Sequence, residues 1–159
     1  MSATVMGLST LGITFGYGVE TSGHAGEKPS SFTQLDRINN IGGISMDVEK
    51  IDASALEDTQ TKYVAGRADT SGTWDVTVNF TDETADEWSD LITAYNTAAG
   101  SGLNMWFEVI LPNQSDAFFV VAQPPQQIPM PEIGQNELLT VTISLTVVEY
   151  KGWLTKVAF

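Results

Sequence analysis

The chain has no cysteine among its 159 residues, a single histidine, and seven basic residues against twenty acidic ones. Each shortage removes a class of chemistry. Without cysteine there is no disulfide, no thiolate nucleophile and no cysteine-ligated zinc or iron–sulfur centre. One histidine excludes multi-histidine metal clusters, and leaves Ser-His-Asp catalysis only if His24, set between Gly23 and Ala25, serves. A net charge of −13 with so few Lys and Arg argues against a surface for phosphate backbones or anionic lipid, because both need clustered cations. No apolar run approaches the roughly 18–20 residues of a membrane span. The start, Met1-Ser2-Ala3-Thr4-Val5, lacks the basic region of a signal peptide. The expectation is a soluble acidic chain made in the cytoplasm, without cofactor or metal, and long enough for one domain with its own core.

What is present is periodicity. Residues 1–35 are Gly- and Ser-rich around Leu11 to Val19 and read as an N-terminal arm carrying a strand. Asp36 to Ile51 alternates toward its end, with Ile44, Met46 and Val48 opposed to Ser45, Asp47 and Glu49. Thr73 to Phe80 alternates more cleanly: Trp74, Val76, Val78 and Phe80 share one face, and Thr73, Asp75, Thr77 and Asn79 the other. A helix follows, with Thr84 and Glu87 spaced as a capping box and Asp82, Glu83 and Asp86 suited to the helix dipole. Its apolar stripe is Trp88, Leu91, Ile92 and Tyr95, and Gly100-Ser101-Gly102 ends it. Leu103 to Leu111 and Ala117 to Ala122 read as a hairpin about Pro112-Asn113. Gln123 to Gly134, with four of the six prolines, is a connection. In the last long strand Leu139, Val141, Ile143, Leu145 and Val147 alternate with Thr140, Thr142, Ser144 and Thr146. The reading is mainly β (α+β), an antiparallel β-sandwich with one flanking helix in a single domain 1–159, with a long inter-strand loop 52–71 and a short tail 151–159.

The chemistry-bearing patterns are weak. Gly16-Tyr17-Gly18 is no phosphate loop, since no helix follows it, and the glycines suit a bent or closely approached strand. Glu57-Asp58 and the acids of the helix start read as solvated charges, for no calcium-loop spacing accompanies them. Asn79-Phe80-Thr81 and Asn113-Gln114-Ser115 match the glycosylation pattern, which is void without secretion. Trp74, Trp88 and Trp106 lie in apolar runs and read as core; Trp153, in the tail, is the candidate for a contact outside the domain. No nucleophile, base and oxyanion donor can be assembled, so an enzyme is not expected.

The order of these elements resembles the major tail (tail tube) proteins of long-tailed, non-contractile phages. The resemblance is carried by Phe32-Thr33-Gln34-Leu35 with Ile41-Gly42-Gly43-Ile44; Ile51 to Asp58; Tyr63 to Asp69; the strand Gly72 to Phe80; the helix with Trp88 and Leu91; Met105-Trp106-Phe107-Glu108; and Asn136 to Val141. It implies a tail-tube fold whose strands close an inner β-barrel in a hexameric ring, with rings stacking into a conduit for DNA ejection. The implied partners are copies of itself, a tape-measure protein and tail-tip or terminator proteins. The resemblance further implies that DNA passes without specific binding, that no membrane is involved and that the location is the virion. Closure into a barrel also removes exposed strand edges. The polar strand faces are then expected to line the lumen: Ser45, Asp47, Glu49, Asp75, Thr77, Asn79, Thr140, Thr142, Ser144 and Thr146. The loop 52–71 is expected to become ordered on ring stacking, through Asp52, Leu56, Glu57, Asp58, Lys62, Tyr63, Val64, Arg67 and Asp69, with Arg67 in an ion pair across the interface. Two alternatives stand beside this one: the inner tube of a contractile tail or type VI-like secretion apparatus, and a carbohydrate-binding β-sandwich.

Overall fold

Alternation decides most of the architecture. A computed structural model describes residues 12–159 except 45, 53, 57–58, 61–62 and 71, and gives the backbone alone for 46–52 and 63–70. In chain order it contains β1 (Thr14–Val19), β2 (Thr33–Leu35), β3 (Ile38–Ile41), β4 (Met46–Asp52), β5 (Tyr63–Thr70), β6 (Thr73–Asn79), α1 (Asp82–Gly100), β7 (Met105–Ile110), β8 (Asp116–Gln123) and β9 (Thr140–Thr155). Seven strands form one antiparallel sheet in the order β2-β1-β7-β8-β9-β6-β3, and β4 and β5 pair separately.

The sheet folds over on itself. Its outermost strands, β2 and β3, are consecutive in the chain with Asp36 and Arg37 between them, and so short a link spans about 10 Å at most. Arg37 makes the corner in the left-handed region, at φ 58°. The curl brings Trp74 of β6 edge-on to Phe15 of β1 at 5.5 Å, although β7, β8 and β9 lie between those strands in the sheet. Phe15 also stacks on Phe107 at 5.7 Å. Around this aromatic centre sit Val76, Val78, Val141, Ile143 and Leu145, all buried, each such side chain stabilising the fold by about 1.5–3 kcal/mol. Trp88 and Leu91 of α1 close the same core.

Four expectations are corrected. The stretch 52–71 is not an irregular loop, for Tyr63–Thr70 pairs with Met46–Asp52. Its period is hidden by a register shift at which Gly66 and Arg67 oppose Glu49 alone, a bulge that breaks alternation. The tail 151–159 is largely strand, since β9 runs on to Thr155 past two register shifts against β8. The capping box is Thr81 with Thr84: Thr81 Oγ1 accepts the Thr84 N–H at 3.2 Å and Thr84 Oγ1 accepts the Thr81 N–H at 2.8 Å. Glu87 instead accepts the Asp36 N–H at 3.0 Å, tying the helix to the β2–β3 corner. Within the expected arm, β1 is an interior strand between β2 and β7; residues 1–11 lie outside the described part.

Candidate functional site

The second face of the sheet is divided into two halves of different character. On β6 and the first half of β9 it is polar and carries its own hydrogen bonds. Ser144 Oγ donates to Asp75 Oδ1 at 2.7 Å, the Thr77 and Thr142 hydroxyls meet at 3.0 Å, and Asn39 Nδ2 donates to Asn79 Oδ1 at 3.1 Å. The first two follow from register, since Asp75 opposes Ser144 and Thr77 opposes Thr142; Asn39 comes from β3, which pairs with β6 on its other side. Period-2 strands paired this way stack polar side chains in ladders on one face and apolar ones on the other. Thr142, Ser144 and Thr146 are exposed while Val141, Ile143 and Leu145 between them are buried. No Lys or Arg occurs in 73–79 or 140–146.

The other half, on β1, β7 and β8, is covered by the chain itself. Phe32 packs on Phe119 at 5.7 Å, and Trp106 stands edge-on to Phe119 at 6.1 Å; Leu154 and Val157 of the C-terminal segment join them. Gly16 and Gly18 permit the crossing. A Cβ on Gly16 would collide with the Phe159 ring and the Thr33 carbonyl, and one on Gly18 with the Phe32 ring.

Two acids are buried in this half. Glu20, 3% exposed, accepts the Asn104 N–H on Oε1 at 2.7 Å, and on Oε2 the Gly26 N–H at 2.7 Å and the Trp106 indole N–H at 3.0 Å. Glu108 is fully buried; its Oε1 accepts the Val157 N–H at 2.9 Å and its Oε2 has no hydrogen-bond partner among the described residues. Burial pushes the Glu108 carboxyl above the ordinary carboxylate range, against the opposing pull of the Val157 N–H and the Lys28 charge. Lys28 in turn donates to the Thr155 carbonyl at 2.8 Å, so one acid and one base hold the C-terminal segment down.

No family model and no curated protein matches the sequence. Solved structures do. Over 98% of this chain and 98% of the other, the fold matches a chain of the anti-feeding prophage (AFP) baseplate, six-fold symmetrised, with a TM-score of 0.62 at 14% identity. A chain from the tail of an empty gene transfer agent (GTA) particle with C6 symmetry matches over 94% of this chain and 99% of that one, TM-score 0.58, 14% identical. The SPP1 tail tube matches over 96% and 81%, TM-score 0.56, 14% identical. The chain has the tail-tube fold.

Within that fold the expected site residues separate into two groups. Asp75, Thr77, Asn79, Thr140, Thr142, Ser144 and Thr146 are gathered on one sheet face. Asp47, Glu49 and Asp52 on β4 and Tyr63, Val64, Arg67 and Asp69 on β5 belong to the separate hairpin, where Asp47 opposes Asp69 and Asp52 opposes Tyr63. Leu56, near the hairpin's end, is fully exposed. Ser45, Glu57, Asp58 and Lys62 lie outside the described residues. The sequence reading missed Glu20, Glu108 and Lys28. The available signal was Gly16 and Gly18 at alternate positions of β1, opposite Glu108 and Trp106 in register, which marks a face that another segment crosses.

Proposed function

We propose that the chain is the major tube subunit of a phage tail, a structural rather than catalytic protein. Copies close into six-membered rings with the polar face of β6 and β9 toward the lumen, and the rings stack into a hollow conduit for DNA. The observation that carries this reading is the divided face: one half is sealed by Phe32 and the C-terminal segment, while the other stays wet, bears hydroxyls and a carboxylate, and has no Lys or Arg in 73–79 or 140–146. Such a surface offers DNA no counterion exchange and so no place to stick. The six-fold assemblies in which the AFP and GTA chains were solved support the ring. They support equally an inner-tube role in a contractile tail or secretion apparatus, which a neighbouring sheath gene would favour.

In this reading the β4–β5 hairpin reaches the adjoining ring, Leu56 docks there, and Arg67 takes a carboxylate across the interface. The further partners are a tape-measure protein within the tube and tip or terminator proteins at its ends, and the location is the virion. Negative-stain electron microscopy of purified protein and of mature tails tests the reading. Hollow tubes with six-fold cross-section are expected; monomers alone in mature tails, or rings of another order, overturn it. The lumen assignment has its own test in Asp75→Lys, Thr77→Lys and Thr142→Lys combined, on the exposed polar face of β6 and β9, which should leave tubes intact and slow DNA ejection. Normal ejection through such tubes would reject it.

A further inference from the structure

The curled sheet is open at one end. β1, β6 and β8 begin there and β3, β7 and β9 finish there, since every strand of the sheet is antiparallel to its neighbours. Helix α1 joins β6 to β7 at the other end, where Trp88 and Leu91 close the core. At the open end two hollows meet at Ile41. One, of about 400 Å³, is the seam of the curl: β2 pairs with β1 only as far as Phe15, the chain crosses at Asp36 and Arg37 to pair with β6, and the gap so left has Ile13 and Phe15 on one side and Ile38–Ile41 on the other. The second, of about 250 Å³, runs on to Trp74, Phe118 and Trp153. No charged residue is among the described ones that line either hollow. β3 pairs with β6 alone among the described residues, so its open side lies on the seam.

We infer that residues 5–11 of the same chain seat in this mouth, along the open side of β3. The occupant follows from where the chain leads. Ile13 is itself a wall of the seam, so the segment that ends at Leu11 is delivered to the hollow by its own backbone. Gly12, between the two, sits at φ 85°, a left-handed conformation that glycine adopts freely and that turns the chain away from the line of β1. The composition fits an uncharged mouth: residues 1–11 hold no charged side chain in a protein with twenty acids, and Val5, Met6, Leu8 and Leu11 are apolar. Met is suited to irregular gaps of this kind, being unbranched and polarizable. A tethered segment acts at a high effective concentration and outcompetes a free partner for the same surface. So seated, it covers the open edge of β3, which would otherwise be a template for other chains.

Amide hydrogen exchange of the full chain, read by mass spectrometry over a range of protein concentrations, tests the seating. In wild type the amides of 5–11 should exchange about tenfold or more slower than those of an unstructured chain, at every dilution. Val5→Ser, Met6→Ser, Leu8→Ser and Leu11→Ser combined should remove that protection and speed exchange in 38–44 by about tenfold or more, while β7 keeps its own protection. Leu8→Ser alone repeats the test with a smaller change and should move both stretches the same way. Free exchange of 5–11 in wild type overturns the inference. Protection lost on dilution also overturns it, for the mouth would then belong to a second copy. An unchanged 38–44 in both serine variants overturns it as well, because the segment would be held elsewhere. The tube reading is tested by ring formation and stands or falls separately.

Discussion

Glu20 should be a large single contributor to stability among the polar side chains. Its carboxylate gathers three N–H groups from segments far apart in sequence: Gly26 in the β1–β2 connection, and Asn104 and the Trp106 indole at the start of β7. Hydrogen bonds to a charged group contribute about 1.5–3 kcal/mol each. Three give roughly 4–9 kcal/mol, from which the cost of desolvating the carboxylate, several kcal/mol, no longer subtracts once Glu20→Ala removes it. The net expectation is a loss of about 3–5 kcal/mol, because buried donors are left without an acceptor. At about 2–4 °C per kcal/mol for a chain of this size, the melting temperature should fall by about 10 °C. Glu20→Gln separates bonds from charge. Its carbonyl can occupy the Oε2 position, keeping Gly26 and Trp106 bonded and turning its amide toward the Asn104 N–H, so its loss should be roughly half that of alanine. Urea unfolding followed by circular dichroism, with amide exchange at Gly26 and Asn104, measures both. An alanine variant within about 1 kcal/mol of wild type would refute the bond arithmetic. A glutamine variant as damaged as alanine would show that charge, and not the three bonds, is what matters.

Glu108 makes a prediction about pH. Its pKa is raised by burial, so the folded state binds more protons than the unfolded one between the ordinary carboxylate value and the raised one, and stability falls as pH rises through that window. Glu108→Gln should therefore gain on wild type as pH climbs from about 4 toward neutrality and lose that advantage in acid; a difference in melting temperature that does not vary with pH contradicts this. Gly16→Ala should destabilise by about 1–3 kcal/mol, because its Cβ meets the Thr33 backbone and the Phe159 ring and overpacking forces β2 or the C-terminal segment aside; thermal melting reads it. Replacing 53–62 by a two-residue turn joins Asp52 to Tyr63, which already oppose each other, so a hairpin turn can close them. That variant should stay folded by circular dichroism and fail to form tubes; normal tubes from it would remove the hairpin tip from the stacking contact.

The parts of the fold legible in the sequence are those whose partners are near in sequence or whose alternation is unbroken. β6 and the first half of β9 show it plainly, because every second residue from Trp74 to Val78 and from Val141 to Val147 is apolar and buried. The turn at Asn113, with φ at 61°, marks the β7–β8 hairpin. What stayed hidden did so for physical reasons. β5 has a bulge at Gly66 and Arg67, and β9 has two register shifts against β8, at Val148 and at Lys151; the consecutive Val148 and Glu149 are both exposed, and the period is lost there. Thr81 is hidden as the cap because Thr84 and Glu87 satisfy the same spacing, and a carboxylate aimed at the Asp36 N–H cannot be told by spacing from one aimed at its own helix. Nothing local to the strand Leu103 to Leu111 marks Glu108 as buried, because the group that covers it, the Val157 N–H, comes from forty-nine residues on.

The same crossing bears on how a subunit meets its neighbours. A sheet with both faces wet gives no reason for one of them to become a lumen, and a sheet sealed on both faces leaves nothing for one. Here the sealed half lies on β1, β7 and β8 and the wet half on β6 and β9, within one continuous sheet. The seal is local: Phe32 enters from the β1–β2 connection and Val157 from the end of β9, and neither reaches Thr142 or Ser144, which remain exposed. In the tube reading the chain has therefore already chosen which half of the face its neighbours leave in contact with water. Closing the ring then asks only for partners at the sheet edges, where β2 and β3 are three and four residues long. Edges so short are weak templates for indiscriminate strand pairing, which leaves closure to side-chain contacts that an ordered neighbour can supply and a disordered aggregate cannot.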